Sequence, residues 1–181
     1  MSTRPVRCIV LDQQVGRAVV DSYDLHAKTR NGHFYSVPLY CLRLIGRDQS
    51  GVTQYYDFKA IRFGVCHDGA GPDYIAGHHG HSVSTLHWDP FLGGSWHLRY
   101  PPFHQVYLHR GAESPLRMRG AFGAAGCIEV TGQNEWQRFN QKVCELSGSS
   151  DLGHISAQGN FKCELLHTHR PHLQELRLNA A

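Results

Sequence analysis

Residues 39–63, LYCLRLIGRDQSGVTQYYDFKAIRF, restrict the possible folds more than any other stretch of the chain. Two runs rich in Leu, Ile, Tyr and Phe flank GRDQSG, a cluster of turn-forming residues, and this pattern reads as a β-hairpin. Leu42, Leu44, Tyr56 and Phe58 are candidates for its alternating faces. Strand signals recur at 7–11, 37–44, 52–63, 95–98 and 106–109, punctuated by Gly, Asp, Asn and Pro. Between 66 and 94 the text becomes CHDGAGPDYIAGHHGHSVSTLHWDPFLGG, which reads as one long irregular excursion holding at most a short strand. Long loops inside compact domains are often functional.

One helix stands out. TGQNEWQRFNQKVCELSG places Trp136, Phe139, Val143 and Leu146 at helical spacing, with Thr131 as the expected N-cap and Gly148 as the stop. The tail adds a strand around 161–166 before fraying. No internal repeat, low-complexity tract or linker divides the chain, and 181 residues suffice for one sizeable core. The expectation is a single, mainly β domain spanning 1–181 with one main helix following the strand that comes just after Cys127.

Composition excludes several classes. With 41% hydrophobic and 18% charged residues the chain is neither a disordered tail nor a coiled coil. The formal charge of +3 is spread rather than gathered into a run, which argues against a dedicated nucleic-acid face. Fourteen histidines against eighteen Lys and Arg make the net charge rise steeply below about pH 6.5. No stretch approaches the roughly 20 apolar residues of a membrane span, and MSTRPVRCIVLDQQ lacks a long apolar signal core. The expectation is a chain made soluble without a signal peptide. Six cysteines are too dispersed for a CxxC metal pattern, so most are expected to be reduced, buried thiols.

The chemically dense stretch is QVYLHRGAESPLRMRGAFGAAGCIEVTG. An apolar strand delivers His109 at its end, and a Gly-Ala loop delivers Cys127 just before the next strand. If these strands are neighbours, imidazole and thiol meet at one sheet edge despite their separation of 18 residues. Such a pair suits nucleophilic catalysis, because histidine promotes the thiolate of a cysteine. Gly126 permits close backbone approach, and the peptide N–H groups around Gly126 and Cys127 are candidates for an oxyanion hole. Arg117 and Arg119, in the intervening loop, are candidates to bind a peptide carboxylate.

His109-Arg110-Gly111, then a loop, then Gly126-Cys127-Ile128 entering a strand resembles the active site of YkuD-type L,D-transpeptidases. The resemblance covers about twenty residues. It implies that His109 is the base, that Cys127 attacks a peptide carbonyl to form a thioester, and that an amine or water resolves it. It adds Arg110 to Gly126 as a backbone or oxyanion contact. The histidine-before-cysteine order differs from that of papain-like and NlpC-type peptidases. Two features depart from the family pattern: Ala124 and Ala125 precede Gly-Cys where the family carries Ser or Thr and His, and Glu129 stands where Arg is common. The resemblance implies an L,D-transpeptidase-like β-sandwich or barrel as the fold of the single catalytic domain 1–181, peptidoglycan stem peptides as substrate, no cofactor, and action at the periplasm or cell wall. Export as an antibacterial effector, with a cognate immunity protein as partner, is a further expectation. The competing reading is a noncatalytic β binding module that holds a metal or ligand through His78, His79, His81 and His87; in the enzyme reading His81 is a substrate-lining candidate and no metal is expected.

Overall fold

The computed structural model describes residues 2–98, 106–116 and 126–177. In chain order the strands are β1 (Val6–Asp24), β2 (Thr29–Arg47), β3 (Thr53–Ile61), β4 (Gly64–His67), β5 (Tyr74–Ala76), β6 (Ser82–Asp89), β7 (Ser95–Leu98), β8 (Val106–Arg110), β9 (Ile128–Thr131) and β10 (Phe161–Leu165). Two helices, α1 (Glu135–Ser147) and α2 (Leu152–Ala157), lie between β9 and β10.

Eight strands close into a barrel in the order β1, β2, β3, β9, β8, β7, β6, β10 and back to β1. β4 and β5 extend the sheet from the far end of β1. The expected hairpin is β2–β3, with Leu42 opposite Phe58 and Leu44 opposite Tyr56. Its turn is held by Asp48, whose Oδ1 accepts the N–H groups of Ser50 at 2.9 Å and Val52 at 3.0 Å. Closure comes from a parallel pairing of β1 with β10, in which the buried Cys8 and Cys163 stand side by side. All six cysteines are free thiols, four of them buried.

α1 turns Trp136, Phe139, Val143 and Leu146 to the interior as its spacing predicts. Phe139 meets Phe58 edge-on with ring centroids 5.3 Å apart, and Gly46 leaves no side chain where Leu146 comes down on β2. Thr131 is not the N-cap: it is the last residue of β9, and its hydroxyl donates to the Lys59 carbonyl at 3.2 Å. The helix begins at Glu135 after Asn134 in the left-handed conformation, and it ends at a left-handed Gly148 as expected.

Other differences are in extent. The excursion from 66 to 94 contains β6, a full barrel strand pairing with β7 and β10. β1 and β2 run to 19 residues each, β1 carrying irregularities around Gln14 and Gly16 that let it bend with the barrel wall. A second short helix, α2, is capped by Asp151, whose carboxylate accepts the His154 N–H. Beyond β10 the chain still pairs with β2, through Ser36 N–H to the Gln174 carbonyl and Leu176 N–H to the Phe34 carbonyl. Among the described residues no helix is long and apolar enough to cross a membrane.

Candidate active site

β8 and β9 are adjacent and parallel, with Leu108 opposite Ile128 and His109 opposite Glu129. Strand alternation then sorts the side chains by face. Leu108, Ile128 and Val130 enter the core, while Tyr107 and His109 share the opposite face with Cys127, Glu129 and Thr131. Cys127 thus sits one step before the first paired residue of β9, diagonal to His109. Neighbours so related are about 7–8 Å apart at the backbone, and among the described residues the imidazole meets the Arg110 carbonyl and Glu129 and makes no hydrogen bond to Cys127.

Both residues line one open cleft of about 1280 Å³. Its walls include Trp88, Phe91, Tyr107, Trp136 and Asn140, and Arg110 and Glu113 form an ion pair on its rim. The aromatic wall has specific supports. The Trp96 indole N–H donates to Asn140 Oδ1 at 2.9 Å, and the Asn140 amide donates to the Trp136 carbonyl at 3.1 Å. Gly94, at φ 82°, leaves room for the Trp88 ring.

The imidazole is oriented by its own strand end. His109 Nδ1 lies 2.8 Å from the Arg110 carbonyl, so a neutral ring donates from Nδ1 and keeps its lone pair on Nε2. Burial pushes the His109 pKa down, against the opposing pull of that carbonyl. Burial likewise pushes the Cys127 thiol up, partly offset by a hydrogen bond from the Tyr107 backbone N–H, and Glu129 adds to the rise when it is ionised. At rest the site holds a neutral thiol and a neutral imidazole, rather than the preformed thiolate that a cysteine beside a histidine suggests.

Gly126 precedes Cys127 at φ 109°, a conformation that side-chain-bearing residues rarely adopt, and it lies against Gly77. Gly111, the glycine of His-Arg-Gly, has a different use. Its N–H donates to the Val130 carbonyl at 2.8 Å, and the Gly132 N–H donates to the Ala112 carbonyl at 2.9 Å, so the chain after β8 runs along β9 and covers Glu129.

The structure brings His109, Arg110 and Cys127 to this cleft, with Gly126 beside them, but not His81. His81 Nε2 instead lies 3.1 Å from Glu164 Oε1 on β10. His78 offers its carbonyl to Arg62, His79 packs edge-on against His167, and His87 is an exposed residue of β6. Among the described residues, no group of three or more His, Cys, Asp or Glu is arranged to hold a metal ion. Arg117 and Arg119, with Ala124 and Ala125, lie outside the described residues.

The sequence marks Trp88 and Trp96 as core or cleft-wall residues, and the structure puts Trp88 on the cleft and Trp96 in the core behind it, but Glu129 as a member of the site was missed. The signal for Glu129 was present in the run CIEV, where alternation puts residues 127 and 129 on one face. Compared with protein-family models, curated proteins and solved structures, the chain gave no match.

Proposed function

We propose that this cleft carries out acyl transfer through Cys127 on the stem peptides of bacterial peptidoglycan, in the manner of an L,D-transpeptidase or the related carboxypeptidases and endopeptidases. The observation that carries the reading is the placement of His109 and Cys127 on one face of neighbouring parallel strands, both opening into the same cleft. The motif order His109-Arg110-Gly111, then Gly126-Cys127-Ile128, supports the peptide substrate class.

The chemistry follows from the resting protonation states. The substrate carbonyl enters beside Cys127, and as the Sγ–C bond forms the thiol proton passes to His109 Nε2, whose lone pair the Arg110 carbonyl keeps available. The carbonyl oxygen takes the negative charge, facing the N–H groups at Gly126 and Cys127. When the C–N bond breaks, the amine leaves with the proton held on Nε2, and a thioester remains on Cys127. Water or a second amine gives its proton to His109 and attacks the thioester, and the thiol is regenerated. The wide aromatic cleft has room for a second peptide as acceptor, which favours exchange or cross-linking alongside hydrolysis.

Incubating the protein with purified peptidoglycan and resolving the fragments by mass spectrometry tests this. New or shortened muropeptides are expected with the wild type and none with Cys127→Ala, while His109→Gln lowers turnover by about 10²–10⁴-fold. Unchanged muropeptides with the folded wild type, or products that persist in Cys127→Ala, would overturn the reading. Placing the site of action at the wall makes a second expectation: the chain is toxic to bacteria when directed to the periplasm, and Cys127→Ala is not.

A further inference from the structure

Glu129 is an acidic residue inside the protein, its side chain 2% exposed. Its Oε1 lies 4.0 Å from His109 Nε2, and its Oε2 is buried with no hydrogen-bond partner among the described residues. Ile61 of β3 stands opposite it on one side, His109 of β8 on the other, and Gly111 closes over its β-carbon. The titratable and charged groups that bear on it are His109 across the strand pair, Cys127 two residues before it on the same face, and Arg30 of β2, whose charge acts against the effect of burial. The thioester cycle above makes no use of it. A carboxyl group placed this way, with one oxygen toward the base and the other unpaired, is expensive to retain without a role.

Building on the acyl-transfer reading of the cleft, we propose that Glu129 is a positioning residue of the site. As a neutral acid it faces His109 and leaves Cys127 free to become an anion; as a carboxylate it opposes that anion. Burial pushes the Glu129 carboxyl up to about 8, so the acid form prevails at neutral pH and ionisation falls in the mildly alkaline range. A carboxylate there would stand about 7 Å from a Cys127 thiolate, two residues along one strand face. At an effective dielectric of about 20, repulsion over that distance shifts an equilibrium by roughly tenfold or more. The site would then have an alkaline limit set by Glu129, while Cys127 and His109 carry the chemistry.

The test is the rate of Cys127 alkylation by iodoacetamide from pH 6 to pH 9, followed by peptide mass spectrometry so that the other thiols are counted separately. Glu129→Gln keeps the shape of the neutral acid and cannot ionise. Its rate is expected to match wild type at pH 6 and to exceed it about tenfold at pH 9. Equal rates across the whole range, or a constant ratio at every pH, would overturn the proposal, since a merely structural change moves the rate without this pH signature. Should Glu129→Gln fail to fold, the wild type answers by itself. Its alkylation profile and its His109 imidazole resonances should both show an inflection near pH 8, and profiles without one overturn the proposal. Alkylation needs no wall peptide, so a failure to turn over peptidoglycan leaves this result to stand or fall separately.

Discussion

Gly111 lies against Glu129 so closely that a methyl group built on it would stand 2.9 Å from the glutamate β-carbon and 3.1 Å from Thr131 Cγ2. Gly111 is absent from the positive-φ residues, so the constraint there is space and not backbone conformation. The chain leaving the His109 strand therefore covers the buried carboxyl only because position 111 has no side chain. Gly111→Ala should lower stability by about 1–3 kcal/mol, the usual effect of overpacking a closed site. Urea denaturation measures this. Because the displaced segment begins two residues after His109, the variant should also alkylate Cys127 with an altered pH profile.

Glu129 gives a second prediction, on stability. Its carboxyl is raised from an ordinary value of 4.5 to about 8 by burial. Between those values the unfolded chain has lost its proton and the folded chain has kept it, so stability is full below about pH 4.5 and falls as pH rises through 8. Glu129→Gln removes that dependence. The two proteins should be similar at pH 4, whereas at pH 8 the variant should be more stable by on the order of 4 kcal/mol. Denaturation midpoints that keep a constant difference over this range would contradict the assignment of a buried, proton-holding carboxyl.

How far this architecture was legible depends on the range over which each signal acts. The β2–β3 hairpin was readable because its strands and the Asp48 turn are contiguous, and the α1 face because Trp136, Phe139, Val143 and Leu146 repeat at the helical period. β6 was hidden by its letters. Ser84 and Leu86 point inward and are buried, but one of these two inward residues is polar while the outward Val83 is apolar, so the alternation carries little apolar contrast. Thr131 looked like a helix cap because local sequence does not reveal that β9 pairs with β3 through Lys59 and Thr131. Barrel closure by β1 and β10 joins residues more than 150 apart, with no local signal at all. That His109 and Cys127 stand at the edge of adjacent strands was legible from the strand signals on either side of the Gly-Ala loop. The neutral resting state of the pair was not, because that follows from burial by distant segments.

Asp73 supports a third prediction. Its Oδ2 accepts the Tyr35 hydroxyl at 2.5 Å and its Oδ1 lies 2.8 Å from His67 Nδ1, tying the segment before β5 to β2 and β4. Burial raises the Asp73 pKa, but the hydrogen bonds from Tyr35 and His67 outweigh it and hold the carboxyl low. The same Asp73 hydrogen bond raises His67. The Asp73 contribution is present above the unfolded carboxyl pKa and lost as pH falls through its folded value; the His67 contribution is present below the unfolded imidazole pKa and lost as pH rises through its folded value. Asp73→Asn should therefore cost most near pH 5–6, about 1.5–3 kcal/mol, and less toward either side. Thermal melts of both proteins at pH 3, 5.5 and 8.5 check the peak.

The last prediction concerns the cleft wall. Gly94 has φ 82°, and a β-carbon added there would stand 2.5 Å from Trp88 Cη2, so the indole holds its place only while residue 94 lacks a side chain. Trp88 in turn packs on Trp96 with centroids 5.0 Å apart, and Trp96 anchors Asn140. Gly94→Ala puts a side chain on a backbone conformation that only glycine adopts readily, at a cost of about 1–3 kcal/mol, and pushes the Trp88 ring away from its neighbour. That displacement alters the wall without touching His109 or Cys127. The expected result is a shifted tryptophan emission and a raised KM for wall peptides, with the rate of Cys127 alkylation unchanged. A fall in alkylation that matches the loss of turnover would mean that the wall and the thiol move as one unit, and that Trp88 does not act as a separate substrate contact.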